Sequence, residues 1–130
     1  MVDVFKLLSD QSRLRILLML VRKELCVCQI MGVLGMAQPL VSRNLILLLK
    51  AGFLDARREG KMMFYRVKKE LPPPLEDLVA IVKNELLDNS LFKDDLQSLK
   101  DCTEYQKKTG KCDMQTFLAY IKQRKRTRKS

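Results

Sequence analysis

The chain has 130 residues, of which 47% are hydrophobic, and it carries 25 lysines and arginines against 15 acidic residues. This length fits one compact domain with a tail, and the apolar content excludes a wholly disordered chain. No run of about 18 apolar residues is present, and no basic region followed by an apolar one opens the sequence. We therefore expect neither a membrane span nor a secretory signal, and we place the chain in the cytoplasm.

The charge is distributed unevenly. Residues 1–70 carry 13 Lys/Arg and 6 Asp/Glu, whereas residues 71–121 carry 6 and 9. The last nine residues, 122–130, add +6 to a formal net charge of +10. A basic first half beside a mildly acidic stretch fits a nucleic-acid-binding face with a separate, non-contacting face. We expect the tail to be disordered, either as a DNA-binding arm or as a solubilising end.

Helical periodicity dominates the first half of the chain. The first residues predict a short helical turn, and Ser9 or Asp10 is placed to cap a second helix. A third, apolar helix is predicted over residues 27–34, with Gly35 as its stop. The next helix begins near Pro39, whose missing N–H is no loss in a first turn. The buried faces of the second and fourth helices are marked by residues at helical spacing: Leu14, Leu17, Leu18 and Val21, then Val41, Leu45 and Leu48.

The two helices on either side of Gly35 form a helix-turn-helix pattern. Gln38, Ser42 and Arg43 lie on the side of the second helix opposite its apolar stripe. Side chains near the N-terminus of such a helix reach base edges and nearby phosphates in the major groove. We therefore predict that Gln38, Ser42 and Arg43 contact DNA.

After the helices the hydrophobic period changes from that of a helix to that of a strand. Two strands are predicted over residues 54–59 and 62–67, joined at Gly60-Lys61. A hairpin that follows a helix-turn-helix is a wing. Arg58 and Lys61 lie near its tip and are predicted to contact the DNA backbone, so that their loss weakens binding uniformly across sequences.

Two further helical segments follow the run Pro72-Pro73-Pro74. The first predicts a dimer seam, together with the short N-terminal helix, and its apolar stripe comprises Leu75, Leu78, Val79, Val82 and Leu86. The second places Phe92, Leu96, Leu99 and Cys102 on one face, and Thr109-Gly110 breaks it. Asp113 is placed to cap a last helix with Met114, Phe117, Leu118 and Ile121 inside.

The predicted fold is mainly α with a small β-hairpin wing: a winged helix-turn-helix with helical dimerisation elements at both ends. Residues 1–90 are predicted to form the DNA-binding and dimerisation domain. Residues 91–121 form a C-terminal helical extension that bears cysteines, and residues 122–130 form the basic tail. A dimer of this kind would place its two recognition helices about one DNA turn apart, roughly 34 Å, which predicts an inverted-repeat operator.

Four cysteines add a chemical function that DNA binding does not need. Cys26 and Cys28 stand at the start of the predicted helix-turn-helix, and Cys102 and Cys112 lie far downstream. In a reducing cytosol, closely spaced thiols favour metal or redox chemistry over structural disulfides. Because residues i and i+2 of a helix point to nearly opposite sides, one ion reaches both Cys26 and Cys28 only if the helix start is extended or unwound. We expect this strain to shift the recognition helix; the alternative is that both thiols are small buried hydrophobic side chains.

Several short motifs keep an ordered spacing between Leu7 and Val67. They are Leu8-Ser9-Asp10, Glu24-Leu25-Cys26-Val27-Cys28, Gln38-Pro39, Val41-Ser42-Arg43-Asn44-Leu45, Gly52-Phe53-Leu54 and Gly60-Lys61. In this half of the chain the sequence resembles the ArsR/SmtB family of winged-helix repressors. The resemblance implies a homodimer that represses a metal-resistance operon on double-stranded operator DNA, needs no cofactor, and leaves the DNA when an inducer binds.

The Leu-Cys-Val-Cys run is similar to the inducer box of the arsenite-responsive members, which implies arsenite or antimonite, bound by thiolates, as the inducer. In those members a third cysteine three residues after the second completes the site, whereas this sequence has Met31 there and also departs at Gln29 and Asn44. The third ligand is then expected from the C-terminal segment. Cys112 has a basic setting that favours thiolate, and Cys102 lies on an apolar stripe, where it is either a ligand or a core residue. The alternative is that Cys102 and Cys112 form a separate pair.

Other functions remain as alternatives at this point. The same DNA-binding module would work with a thiol redox or persulfide switch, or with a soft divalent metal such as cadmium or lead. The chain contains no histidine, which argues against zinc and nickel sites built from histidine and carboxylate. A dithiol oxidoreductase is the least favoured, because no βαβ pattern surrounds the cysteines and no acid–base pair accompanies them. We therefore predict that the protein is not an enzyme.

Overall fold

The structure is a computed structural model that describes residues 2–85 and 89–109. It contains, in chain order, α1 (Val2–Leu8), α2 (Gln11–Arg22), β1 (Leu25–Cys26), α3 (Val27–Leu34), α4 (Gln38–Lys50), β2 (Leu54–Glu59), β3 (Met62–Val67), α5 (Pro73–Glu85) and α6 (Ser90–Thr109). The predicted helices and hairpin within this part of the chain are confirmed. The predicted ligand Cys112, the last helix after Asp113, Leu86 and the tail 122–130 lie outside the described residues.

The helix ends follow from the local sequence. The carboxylate of Asp10 accepts a hydrogen bond from the backbone N–H of Arg13 at 3.1 Å and so caps α2. Gly35 ends α3 with a φ of 67°, a left-handed conformation that glycine adopts without a Cβ clash. Pro39 lies in the first turn of α4. The tight turn of the helix-turn-helix therefore has a local physical cause.

The sheet has three antiparallel strands in the order β1-β3-β2. The hairpin pairs Leu54 with Val67 at its base and Glu59 with Met62 at its tip. Strand β1 was not predicted from the sequence, because its two residues are too few to show an alternation. This strand pairs Cys26 with Phe64, and so joins the cysteine-bearing segment to the wing.

One hydrophobic core joins all the helices. From α2 it takes the continuous buried run Ile16–Leu20, and from α4 it takes Val41, Leu45 and Leu48. Helix α6 packs against both α3 and α2. Its predicted apolar face is confirmed, because Phe92, Leu99 and Cys102 are buried in the same core.

A buried ion pair fixes α6 to the rest of the fold. The Arg15 guanidinium donates to both carboxylate oxygens of Asp95 at 2.9 Å and to the carbonyl oxygen of Leu34 at 3.0 Å. The Asp95 side chain is only 4% exposed. Such a bidentate pair sets both the position and the register of a helix, because the guanidinium fork matches a carboxylate in one geometry. The 80-residue separation of Arg15 and Asp95 gives the sequence no local sign of this contact.

The predicted dimer seam is only partly covered in the single chain. Of the α5 stripe, Leu75 is buried, and Leu78, Val79 and Val82 are half-buried. Phe5 on α1 and Ile81 on α5 are each 57% exposed. Within the described residues no single helix is long and apolar enough to cross a membrane; α3 and α4 together pass that test of length and composition, with a bend of 116° between them, as buried core helices can.

Candidate functional site

Cys26 lies at a structural junction. It is the last residue of β1 and the N-cap of α3, and its backbone is extended, with φ −89° and ψ 170°. The side-chain oxygen of Gln29 accepts a hydrogen bond from the Cys26 backbone N–H at 3.0 Å. The Cys26 side chain in turn accepts from the Gln29 backbone, so the two residues form a capping box. Cysteine stands here where serine or threonine is usual, and the box was not predicted from the sequence for that reason. Only Cys28 of the pair is helical, so one of the two thiols already lies outside the helix.

Burial favours the protonated form of Cys28 and of Cys102. Cys26, Cys28 and Cys102 are all thiols, and Cys26 and Cys102 are buried. Desolvation raises the pKa of Cys28, and the neighbouring Cys26 raises it further. The pKa of Cys102 rises to about 11, mainly through desolvation, with the Lys23 ammonium opposing the rise and Cys26 adding to it. A thiol in such surroundings ionises readily only when a cation or metalloid takes the place of its proton.

The cysteines also affect one another. After desolvation, which is the larger cause in each case, the Cys26 thiol adds to the rise in the pKa of Cys28 and of Cys102. Among the described residues, no three cysteine, aspartate or glutamate side chains are arranged to hold a metal ion together. The packing of α6 on α3 places Cys102 in the same core as Cys26, but the three thiols are not arranged to hold one ion together.

A cleft of about 280 Å³ separates the cysteine pair from the wing. Cys26, Val27 and Cys28 line one wall, and the other is formed by residues of the hairpin: Lys61, Met62, Met63 and Tyr65. Lys61 is one of the predicted DNA contacts. A conformational change at the cysteine pair therefore alters a cleft that the wing also lines.

A surface ion pair holds the wing to the segment before Cys26. The Arg57 guanidinium donates to Glu24 at 2.6 Å and 3.2 Å and to Glu59 at 3.1 Å, and it lies 5.1 Å from the centre of the Phe64 ring. Hydrogen bonding from Arg57 lowers the pKa of Glu24. Arg57 thus contacts groups of its own domain. The sequence predicts a DNA contact for its neighbour, Arg58, instead.

The predicted DNA-binding side chains lie on accessible surfaces. In α4, Gln38 and Arg43 are exposed and Ser42 is half-buried, and in the wing Arg58 and Lys61 are exposed. Exposure is what the predicted roles require, and those roles remain predictions. Asn44, the residue after Arg43, is instead 2% exposed, and its side-chain nitrogen has no hydrogen-bond partner among the described residues. It faces the interior of the domain and not the surface that Arg43 occupies.

A helix-turn-helix followed by a β-hairpin, with basic residues on both, defines the class of winged helix-turn-helix DNA-binding proteins. Within that class, a family model described as bacterial regulatory protein, arsR family, matches residues 10–56, from the N-cap of α2 to the start of the wing. The arsenic resistance transcriptional regulator ArsR2 of Pseudomonas putida is 39% identical over 94 residues, which cover 68% of this chain and 82% of the relative. The chain belongs to the ArsR family, whose members are transcriptional regulators.

Other relatives extend this assignment. The arsenical resistance operon repressor of Escherichia coli K12 is 42% identical over 72 residues, which cover 55% of this chain and 62% of that protein. Among solved structures, a homodimeric winged helix-turn-helix domain from Mycobacterium bovis, described as a possible ArsR-family regulator, is 38% identical with a TM-score of 0.54 over 65% of this chain and 79% of its own. The AntR antimony-specific transcriptional repressor is 32% identical with a TM-score of 0.52, and the match covers 62% of this chain and 70% of that protein. The predicted family and fold class are confirmed.

Proposed function

We propose that the protein is a metalloid-responsive transcriptional repressor, which binds operator DNA as a homodimer and leaves it when arsenite or antimonite binds cysteine thiolates. The observation that carries this proposal is the position of Cys26, which caps α3 and pairs with Phe64 of the wing. A ligand on this thiol acts on the helix-turn-helix and on the wing at once. The named specificities of the arsenic and antimony regulators to which the chain is similar support the choice of inducer.

The ligand chemistry fits trivalent arsenic or antimony. Both take soft, deprotonated sulfur ligands, and the pair Cys26 and Cys28 supplies two. A third thiol comes from the C-terminal part of the chain, where Cys102 and Cys112 stand. Met31 has a thioether, which cannot lose a proton to become a thiolate. The inducer is a transient ligand, and repression itself needs no cofactor.

Closure of a three-thiolate site has to rearrange the junction. Cys26 is already extended and Cys28 lies in the first turn of α3, but no three cysteine or carboxylate side chains among the described residues are arranged to hold one ion, so the site closes only if the α3 start changes conformation. The change strains the Gln29–Cys26 cap and the Cys26–Phe64 pairing, both of which are present in the structure. The inducer therefore binds better to a form in which α3 and the wing are displaced, and the DNA binds better to the form with both in place.

A dimer follows from the apolar surface of α1 and α5. Phe5 and Ile81, each 57% exposed, lie on the two helices that the sequence predicts as the seam. Burial of such side chains against a second copy removes apolar surface from water. Two copies then present two α4 helices to an inverted-repeat operator, in the cytoplasm, with a regulatory role and no catalytic one.

Fluorescence anisotropy tests the proposal. The DNA is a labelled duplex enriched by the protein from a random pool, and sodium arsenite is added to the preformed complex. We expect arsenite to weaken DNA binding of the full chain by at least about tenfold, which corresponds to about 1.4 kcal/mol. The matched control is Cys28→Ser, which should bind the duplex like the wild type and not respond.

Unchanged DNA affinity of the wild type in arsenite would refute the metalloid role. Release by cadmium or lead but not by arsenite would assign the thiols to a soft divalent metal. Release by peroxide with loss of titratable thiols would assign them to a redox switch, because metalloid binding leaves no disulfide.

A further inference from the structure

We propose that Cys102 of α6 is the third thiol of the inducer site, so that one metalloid ion bridges α6 to the start of α3 through Cys26, Cys28 and Cys102. This inference rests on the proposed function and specifies its ligand set. The three sulfurs belong to one chain, and the third comes from a helix that the family match over residues 10–56 does not include.

The packing of α6 brings Cys102 to this place. Helix α6 packs on α3, and Cys102 is 1% exposed within the shared core. The Lys23 ammonium, three residues before Cys26, donates to the hydroxyl of Thr103 at 3.0 Å, directly after Cys102. The chain therefore runs past the same point of α6 just before it reaches Cys26. The electrostatic effect of Cys26 on Cys102 agrees with this placement.

The register of α6 is fixed independently of the cysteines. The ion pair between Arg15 and Asp95 lies about two helical turns before Cys102 and holds α6 against α2 and the end of α3. Because Cys102 cannot slide along α3 while this pair persists, its sulfur stays near Cys26. A thiol held in place loses little further conformational freedom when it binds.

The chemistry balances as a ligand exchange. Arsenious acid, As(OH)₃, exchanges its three hydroxides for three thiolates: three As–S bonds form, three As–O bonds break, and each thiol proton leaves with a hydroxide as water. Arsenic stays trivalent, and no electrons are transferred.

Arsenic-edge X-ray absorption on the full chain counts the sulfur ligands. We expect three As–S bonds in the wild type and in Cys112→Ala, and two As–S bonds with one As–O bond in Cys102→Ala. Arsenite affinity of Cys102→Ala should fall by at least about tenfold. Three As–S bonds in Cys102→Ala, or two in Cys112→Ala, would overturn the assignment.

Phenylarsine oxide distinguishes the loss of one ligand from a folding defect in Cys102→Ala. Its arsenic keeps the phenyl group and takes two thiolates, which Cys26 and Cys28 supply, so Cys102→Ala and Cys102→Ser should bind it as the wild type does. Loss of this binding in both variants would contradict the assigned roles. If arsenite fails to release wild-type protein from DNA, the proposed function fails; if release occurs and Cys102→Ala keeps three As–S bonds, only the ligand set fails.

Discussion

The start of α3 is held from two sides, and the two sides are built differently. On the wing side, the pair between Arg57 and Glu24 lies at the surface, with the Arg57 side chain 51% exposed. On the α6 side, the pair between Arg15 and Asp95 has side chains 18% and 4% exposed. Water and salt screen the Arg57–Glu24 pair, whereas breaking the Arg15–Asp95 pair leaves a buried charge without its partner. If the proposed inducer binds, we therefore expect the wing to be the side that moves and α6 to be the side that stays in place.

The largest expected effect comes from breaking the buried pair. Asp95→Asn leaves the Arg15 guanidinium without its counter-charge in a part-buried site, so we expect the free energy of unfolding to fall by about 3 kcal/mol. Urea unfolding followed by circular dichroism measures it. The double variant Arg15→Met/Asp95→Leu restores an uncharged, packed contact and should recover much of the loss. A loss below about 1 kcal/mol in Asp95→Asn would mean that α6 is not anchored here.

A smaller effect is expected on DNA binding, and only from the wing side. Lys61 lies at the wing tip and Lys100 on α6, and both side chains are exposed. Lys61→Ala should weaken binding and reduce the slope of log affinity against log salt by about 0.9 for each phosphate that the protein no longer neutralises. Lys100→Ala removes the same charge from the α6 side and should leave the slope unchanged. Equal slopes of log affinity against log salt for the two variants would show that the wing is not part of the DNA interface.

The smallest effect should follow from removal of the surface pair. Arg57→Ala frees β2 from Glu24, and we expect the urea midpoint to stay near that of the wild type while less arsenite is needed for half-release of the DNA. The difference should vanish in high salt. Because Arg57 lowers the pKa of Glu24, the pair contributes at neutral pH and its contribution is lost as the pH falls through that lowered value. Destabilisation as large as that of Asp95→Asn would show that the two sides do not differ.

The parts of the molecule that could be predicted from the sequence are those with local causes. Gly35 and Pro39 set the helix-turn-helix turn, and the alternation from Leu54 to Val67 predicted the hairpin with the bounds that the structure shows. Strand β1 was missed because two residues carry no period. The Gln29–Cys26 cap was missed because cysteine replaces the usual hydroxyl residue, although the i to i+3 spacing was visible.

The rest of the site depends on residues that are remote along the chain. Sequence electrostatics favour Cys112 as the third thiol because of its basic setting, whereas Cys102 lies on an apolar stripe. The structure places Cys102 near Cys26 because α6 packs on α3 and is held by Arg15 and Asp95. No spacing rule links residues 80 positions apart. The sequence thus names the pair and the two downstream candidates, Cys102 and Cys112, but it does not show that Cys102 packs into the same core as Cys26.

Hydrogen–deuterium exchange of the full chain, with and without arsenite, tests most directly whether the inducer acts through the wing. Exchange reports the local opening of backbone hydrogen bonds, element by element. We predict faster exchange in β1, β2 and β3, and unchanged or slower exchange in the part of α6 between Asp95 and Cys102. Faster exchange in α6 with an unchanged wing would contradict this mechanism.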